Sequence, residues 1–433
     1  MALSCDQDFD PIFSAFTSAK PSDEALGTIR RMDRREFLIG TAAGAAARAT
    51  SARNTIAQEA PNLDQSASFP VAVSPAPQGR VVGVKMLTPP TAPIAPVVEQ
   101  LHKAGITAVF TRIDDFFADV TVERNVREFR KLLRDAGIQF YITVPVFLNP
   151  DALAKDPSLV GYGSMGNPSK STEADWLQFV CPTRPDYRKQ RVAWFVSLVR
   201  ELHPDGLSLD FIRYFIYWEA VTPGRTGVSI EKFCFCDYCL RLMTDELGFH
   251  FPADIATRQA KAAWVLANHR EEWTAWKCEK ITSMVRESAA AAKAVQPELK
   301  ISLHGVPWME NDYDHGLRVV VGQDLQKLAP YVDIFGPMCY FEMLHRAPEW
   351  VHDVVVDYFR LTGKAPLPSV QVSEFRREPV AVETIRNHFL AGFESPSAGV
   401  NVFEWNGLRN DLAKIAILQE TAREHWLGRT PER

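Results

Sequence analysis

Between Val81 and Trp426 the chain repeats one pattern eight times: a short apolar, β-prone run, then a stretch whose apolar positions recur at helical spacing. The runs occupy 81–87, 106–115, 138–148, 205–214, 299–308, 332–341, 369–375 and 399–408. VVGVKML leads into PIAPVVEQLHKAG, which Gly105 ends, and ITAVFTRIDD leads into VREFRKLLRDAG. The fourth run, DGLSLDFIRY, precedes a long insertion before a helical pattern around Trp273 to Ala294. The fifth and sixth runs are each expected to have a helix, and the last helix spans about Asp411 to Trp426. Eight such strand and helix pairs predict an α/β fold, a (β/α)8 TIM barrel over residues 80–430. An open doubly wound sheet would carry a Gly-rich phosphate loop after its first strand, and VKMLTPPTAP has none. Such a barrel needs only about 250 residues. The excess is expected in loops after strands three and four, on the face where barrel active sites open.

The segment before the barrel has a different composition. Arg34 and Arg35 precede Phe37, Leu38 and an Ala-rich run ending near Ala52, and residues 1–52 resemble a twin-arginine export signal. A short amphipathic helix with two surface arginines is the alternative. Residues 53–79, rich in Pro, Ala, Ser and Gln, read as a disordered linker. The expected destination is the periplasm or the exterior. A net charge of -5 offers no basic field for a phosphate backbone, so nucleic acid is not an expected partner. No uninterrupted apolar run reaches the roughly 18 residues of a membrane-spanning helix, so no integral span is expected in the mature form. No organic cofactor is implied, and a homo-oligomer is compatible with the sequence.

A barrel interior is filled by apolar side chains, so a carboxylate at a strand's C-terminal end needs a reason to be there. Asp210 follows Leu207-Ser208-Leu209 on strand four, with Arg213 three residues on. Glu374 ends strand seven and Glu404 ends strand eight. Three rim carboxylates suit glycosidic hydrolysis, which needs a proton donor and either a nucleophile or a base for water. A structural Asp–Arg pair ordering the loop is the alternative for Asp210 and Arg213. His304 on strand five, Tyr340 on strand six, and Asp114 and Asp115 on strand two are candidates to position substrate. Trp218, Trp308 and Trp405 lie just past strands four, five and eight, where flat rings could stack on sugar faces.

Three of the seven cysteines, Cys234, Cys236 and Cys239, fall within six residues in the loop after strand four. Adjacent disulfides are awkward at that spacing, whereas three thiolates can turn toward one ion, and Cys181, one βα unit earlier at the same end of the barrel, is the candidate fourth ligand. Four cysteines leave no open position, which makes the expected zinc structural. Twin-arginine export carries folded proteins, so such a site could assemble before export. Cys278 and Cys339 read as inert core thiols.

CPTRPDYR, DGLSLDFIRY and CFCDYC resemble, in order and rough spacing, the zinc-carrying barrel β-galactosidases and, more, bacterial glycosyl-hydrolase-like barrels. The resemblance implies zinc on Cys181, Cys234, Cys236 and Cys239, an acid/base at the end of strand four and a nucleophilic Glu on strand seven. This chain has Leu209-Asp210 where those galactosidases carry Asn-Glu. A weaker resemblance runs to chitinase-type barrels through Asp205-Gly206, Asp210 and Met338-Cys339-Tyr340, with Ile212 in place of their catalytic Glu. The combined expectation is a retaining glycoside hydrolase acting on O-glycosyl bonds of an oligo- or polysaccharide. Asp210 and Glu374 are its catalytic pair, as donor and nucleophile or the reverse, with Glu404 in reserve; Arg213, His304, Tyr340, Trp308, Trp405 and Asp114 contact the sugar. A non-catalytic carbohydrate-binding barrel is the alternative. A catalytic-metal hydrolase ranks last, because no clear His pair stands at strand ends.

Overall fold

The strand runs are buried on both faces, as parallel strands must be when helices cover one side and side chains fill the other. In the computed structural model, which describes residues 81–373 and 380–427, the runs become β1 (Val81–Met86), β2 (Ala108–Arg112), β3 (Gln139–Pro145), β4 (Gly206–Asp210), β5 (Lys300–Gly305), β6 (Ile334–Cys339), β7 (Ser369–Gln371) and β8 (Gly399–Phe403). They pair in parallel, each with the next, and β8 closes on β1 through Val84 opposite Val402. The expected (β/α)8 barrel is therefore present. Each strand stops before its apolar run does, because the last residues of the run turn out of the ladder into the loops that build the site. The proposed signal over 1–52 and linker over 53–79 lie outside the described residues.

The outer helices are α1 (Ala95–Lys103), α2 (Val120–Asp135), α3 (Pro185–Leu202), α4 (Arg270–Val295), α5 (Leu325–Leu328), α6 (Trp350–Thr362), α7 (Val382–Phe393) and α8 (Leu412–Leu427). Local chemistry sets their ends and their inner faces. Asp119 caps α2 by accepting from Thr121 N and Val122 N, and its Val126, Phe129 and Leu133 turn inward at helical spacing. The helix expected after β5 is the exception. It is reduced to a five-residue π-turn, Leu317–Val321, and the single turn of α5. Lys277, reaching across from α4, donates to Val319 O and Val320 O at 2.9 Å each and so satisfies carbonyls that a continued helix would have paired itself. Among the described residues no helix is long and apolar enough to cross a membrane.

Two layers of apolar packing hold the barrel. The larger lies between strands and helices, and a smaller one centres on Phe110 and Tyr141, whose rings stack at 4.4 Å. Gly206 makes room for that stack, since a Cβ there would come within 2.2 Å of the Tyr141 ring. The surplus chain lies, as expected, after β3 and β4. These two insertions pack on each other: Gly163 pairs with Phe233, and Phe235 N donates to Tyr162 O at 2.7 Å.

Candidate active site

At the C-terminal ends of the strands lies a cleft lined by residues from several strands and from the loops after β3 and β4. Its floor begins with Lys85. This lysine interrupts the apolar run of β1, is almost fully buried, and donates to His304 Nδ1 at 2.7 Å and Tyr340 Oη at 3.3 Å. With Nδ1 accepting, the neutral imidazole carries its proton on Nε2 and donates to Ser208 Oγ at 2.8 Å. Burial lowers the Lys85 ammonium to about 8, against the pull of Asp210. Burial, with Lys85 alongside, lowers His304 to about 3. His304 thus stands beneath Lys85 with both ring nitrogens engaged.

Asp210 is the last residue of β4 and lines the cleft. Its Oδ1 accepts from Phe211 N at 2.7 Å, and Phe211 itself sits at φ 49, a left-handed conformation that side chains disfavour. Arg213 follows, buried, with Nη1 donating to Ile216 O at 2.8 Å and the guanidinium 4.8 Å from the Phe179 ring centroid. It orders the loop after β4 from behind and is not part of the cleft lining. Its Nε and Nη2 are buried without a hydrogen-bond partner. Burial lowers its pKa to about 10, with Glu219 and Asp210 opposing.

The same loop carries a one-turn 3-10 helix, Trp218–Ala220, which brings Trp218 and Glu219 to the cleft wall. Trp218 is buried beside Tyr340, ring centroids 5.9 Å apart, and Tyr340 stacks on Phe403 at 4.5 Å. Glu219 Oε2 is buried with no hydrogen-bond partner. Burial raises this carboxyl to about 7; Arg213 opposes the rise and Asp210 adds to it. On the opposite side Trp176, from the loop after β3, meets Phe211 edge-on.

Of the residues expected to act, the structure brings Asp210 and Tyr340 to the cleft surface and puts His304 one layer below. Glu374 lies outside the described residues. Glu404 is buried and absent from the lining, and both its oxygens are engaged: Oε2 accepts from Asn406 N and Oε1 from Gly407 N, each at 3.1 Å, capping the turn 405–408. Burial nonetheless raises its pKa, against those two amides. Asp114 sits on the outer rim in an ion pair with Arg112 Nε at 2.6 Å, and Arg112 is the one of the two that lines the cleft. Trp308 and Trp405 pack in the core and, unlike the equally buried Trp218, do not line the cleft. The cleft's aromatic walls include Trp176, Trp218, Tyr340 and Phe403 instead. Sequence reasoning missed Lys85 and Glu219. A lone cation inside VVGVKML was a usable signal, because a buried charge in a strand needs a purpose. Glu219, deep in an insertion without period, gave none.

The four cysteines expected to cluster do so. Cys181, Cys234, Cys236 and Cys239 are buried, with their sulfurs all within 4.8 Å of one another. Cys181 and Cys239 lie 3.4 Å apart, Cys236 and Cys181 3.8 Å. A tetrahedron of sulfurs about 2.3 Å from a zinc ion has edges of about 3.8 Å, so this spacing fits an ion. Thr183 Oγ1 lies 3.2 Å from both Cys181 Sγ and Cys239 Sγ, and Tyr162 N and Cys236 N each approach Cys234 Sγ at 3.4 Å. Burial pushes the Cys234 and Cys239 thiols well up, whereas hydrogen bonds from its neighbours, Cys181 first, hold Cys236 down. A bound ion would let the thiols give up their protons. No disulfide joins the described cysteines.

No protein-family model matches the chain, and no curated protein matches its sequence. Its fold, however, is that of many glycoside hydrolase barrels. The PgaB (BpsB) glycoside hydrolase domain from Bordetella bronchiseptica superposes with a TM-score of 0.56 at 14% identity, over 80% of this chain and 98% of that one. The β-galactosidase from the psychrophilic Marinomonas ef1 gives 0.57 at 12% identity over 80% of this chain and 60% of that, and a cold-adapted β-galactosidase from Rahnella sp. R3 gives 0.54 at 14% over 81% and 56%. The chain therefore spans less than two thirds of those galactosidases and nearly all of the Bordetella domain.

Proposed function

We propose that the protein is a glycoside hydrolase, cleaving O-glycosyl bonds of an oligo- or polysaccharide by a retaining route, with Asp210 as one carboxylate of the catalytic pair. The observation that carries the reading is Asp210 itself, an acid at the end of β4 in a cleft walled by Trp176, Trp218, Tyr340 and Phe403. The aromatic faces suit the apolar faces of pyranose rings, and the carboxylate stands where barrel chemistry takes place. The barrel shared with the three glycoside hydrolases above supports it. Glu374 remains the sequence-derived candidate for the second carboxylate. Replacing Asp210 by Asn should lower turnover of aryl glycosides by about 10²–10⁴-fold with an unchanged melting temperature. A variant that keeps its turnover contradicts the assignment. Proton NMR of the first-formed sugar should show the anomeric configuration of the substrate, and inversion would remove the retaining route.

For the cysteine cluster we propose a structural zinc on Cys181, Cys234, Cys236 and Cys239, supported by the fit of the sulfur spacing to a tetrahedral ion. The Arg34–Arg35 pair supports export by the twin-arginine pathway, with folding and metal loading complete beforehand.

A further inference from the structure

Among the described residues lining the cleft, Asp210 and Glu219 are the carboxylic acids. Their surroundings differ. Both residues are half-buried, and Asp210 Oδ1 holds a backbone amide. Glu219 follows the buried Trp218 in a one-turn helix, and its Oε2 faces neither solvent nor a hydrogen-bond donor. The groups acting on it are Arg213, its own backbone amide, and Asp210 in the same cleft, and its own field reaches the phenols of Tyr217 and Tyr340. No ion pair joins Glu219 to Arg213, whose Nε and Nη2 are also buried and unpartnered. A carboxyl with one oxygen buried and unpartnered keeps its proton more readily than one in water, and here burial outweighs the residue's own amide and Arg213. Glu404, by contrast, spends both oxygens on its cap, and Asp114 pairs with Arg112.

We infer that Glu219 is the general acid of the reaction, delivering a proton to the departing glycosidic oxygen while Asp210 acts at the anomeric carbon. This assignment rests on the glycoside hydrolase reading, and within it Glu219 takes the place of Glu374 as the second carboxylate. As the bond between C1 and the glycosidic oxygen breaks, its electron pair stays on that oxygen, which takes the proton from the Glu219 carboxyl. An Asp210 carboxylate oxygen forms a bond to C1, giving a glycosyl ester. Water then attacks C1, the ester bond breaks with its electrons returning to Asp210, and the Glu219 carboxylate takes the proton from that water. Both acids end as they began. With Glu219 titrating at about 7, activity should fall as pH rises through neutrality, because the donor form is lost.

The test compares Glu219→Gln with Asp210→Asn on paired phenyl and 2,4-dinitrophenyl glycosides of common hexoses, with azide present to complete turnover without base help. A dinitrophenolate departs without a proton and a phenolate does not. Glu219→Gln should therefore lose about 10²–10⁴-fold on phenyl glycosides and little on dinitrophenyl ones. An equal loss on both, or none, overturns the assignment. If Asp210→Asn is inactive while Glu219→Gln keeps phenyl glycoside turnover, only the Glu219 assignment falls; if Asp210→Asn stays active, the Asp210 role falls and the proposed pair with it; and if wild type cleaves none of these glycosides, the hydrolase reading itself falls. Infrared difference titration decides the matter without substrate. A protonated-carboxyl band that disappears near neutral pH in wild type and is missing from Glu219→Gln supports the inference, and absence of that band from wild type overturns it.

Discussion

Lys85 holds the cleft floor through two neutral acceptors, and the more revealing of them is His304, whose imidazole is locked between Lys85 and Ser208. Its pKa is depressed from 6.5 to about 3, and that of buried His388 to about 4. For a depressed histidine the unfolded chain takes up a proton that the fold refuses. The stability it contributes is complete above about 6.5 and lost as pH falls toward the folded value, at about 1.4 kcal/mol per pH unit for each group. Denaturant midpoints should therefore fall between pH 6.5 and 4, and fall less steeply in His304→Gln; identical slopes in the two proteins would contradict the account. Glu404 makes a complementary point. Its position at the end of β8 was legible in the sequence, but the turning of both oxygens onto Asn406 N and Gly407 N was not, because that depends on how the next turn closes. Glu404→Ala should cost about 1 kcal/mol, a fall of roughly 2–4 °C in Tm, as loss of a cap does. A thermal midpoint equal to wild type would contradict the capping role.

At the scale of elements, whatever depends on neighbouring residues was readable in advance, and whatever depends on distant contacts was not. The apolar runs placed all eight strands, since burial on both faces writes itself into consecutive residues. The helix after β5 was misjudged because its shortening follows from Lys277, some forty residues earlier, capping Val319 and Val320. Cys181 joined Cys234, Cys236 and Cys239 as expected, since both insertions leave the same end of the barrel. Those insertions share the cluster and touch at Gly163 and Phe233, so an ion there would tie together two loops that both supply the cleft, through Trp176 and through Asp210 to Glu219. Cys236→Ser should lower bound zinc, measured by elemental analysis, from near one equivalent to a small fraction. It should also lower the thermal midpoint. Undiminished zinc in the variant, or substoichiometric zinc in wild type, would contradict the site.

For the whole molecule, the alternation of strands and helices sufficed to predict barrel closure, because parallel strands with right-handed crossovers leave few other arrangements for this pattern. The site was only partly legible. Asp210 could be placed because strand ends define the rim, whereas Glu219 and Trp176 come from insertions whose course no periodicity encodes, and Trp308 and Trp405 turned into the core. What the fold assembles is an aromatic-walled cleft with a carboxylate at its strand end and a second, desolvated one beside it. The account stands or falls on whether that cleft breaks glycosidic bonds. The most direct measurement is release of new reducing ends from a panel of oligo- and polysaccharides by the wild-type protein and by Asp210→Asn at equal folded concentration. Release by wild type that drops by about 10²–10⁴-fold in the variant is the predicted result. Saccharide binding with no new reducing ends from wild type would mark the barrel as a binding protein and contradict it.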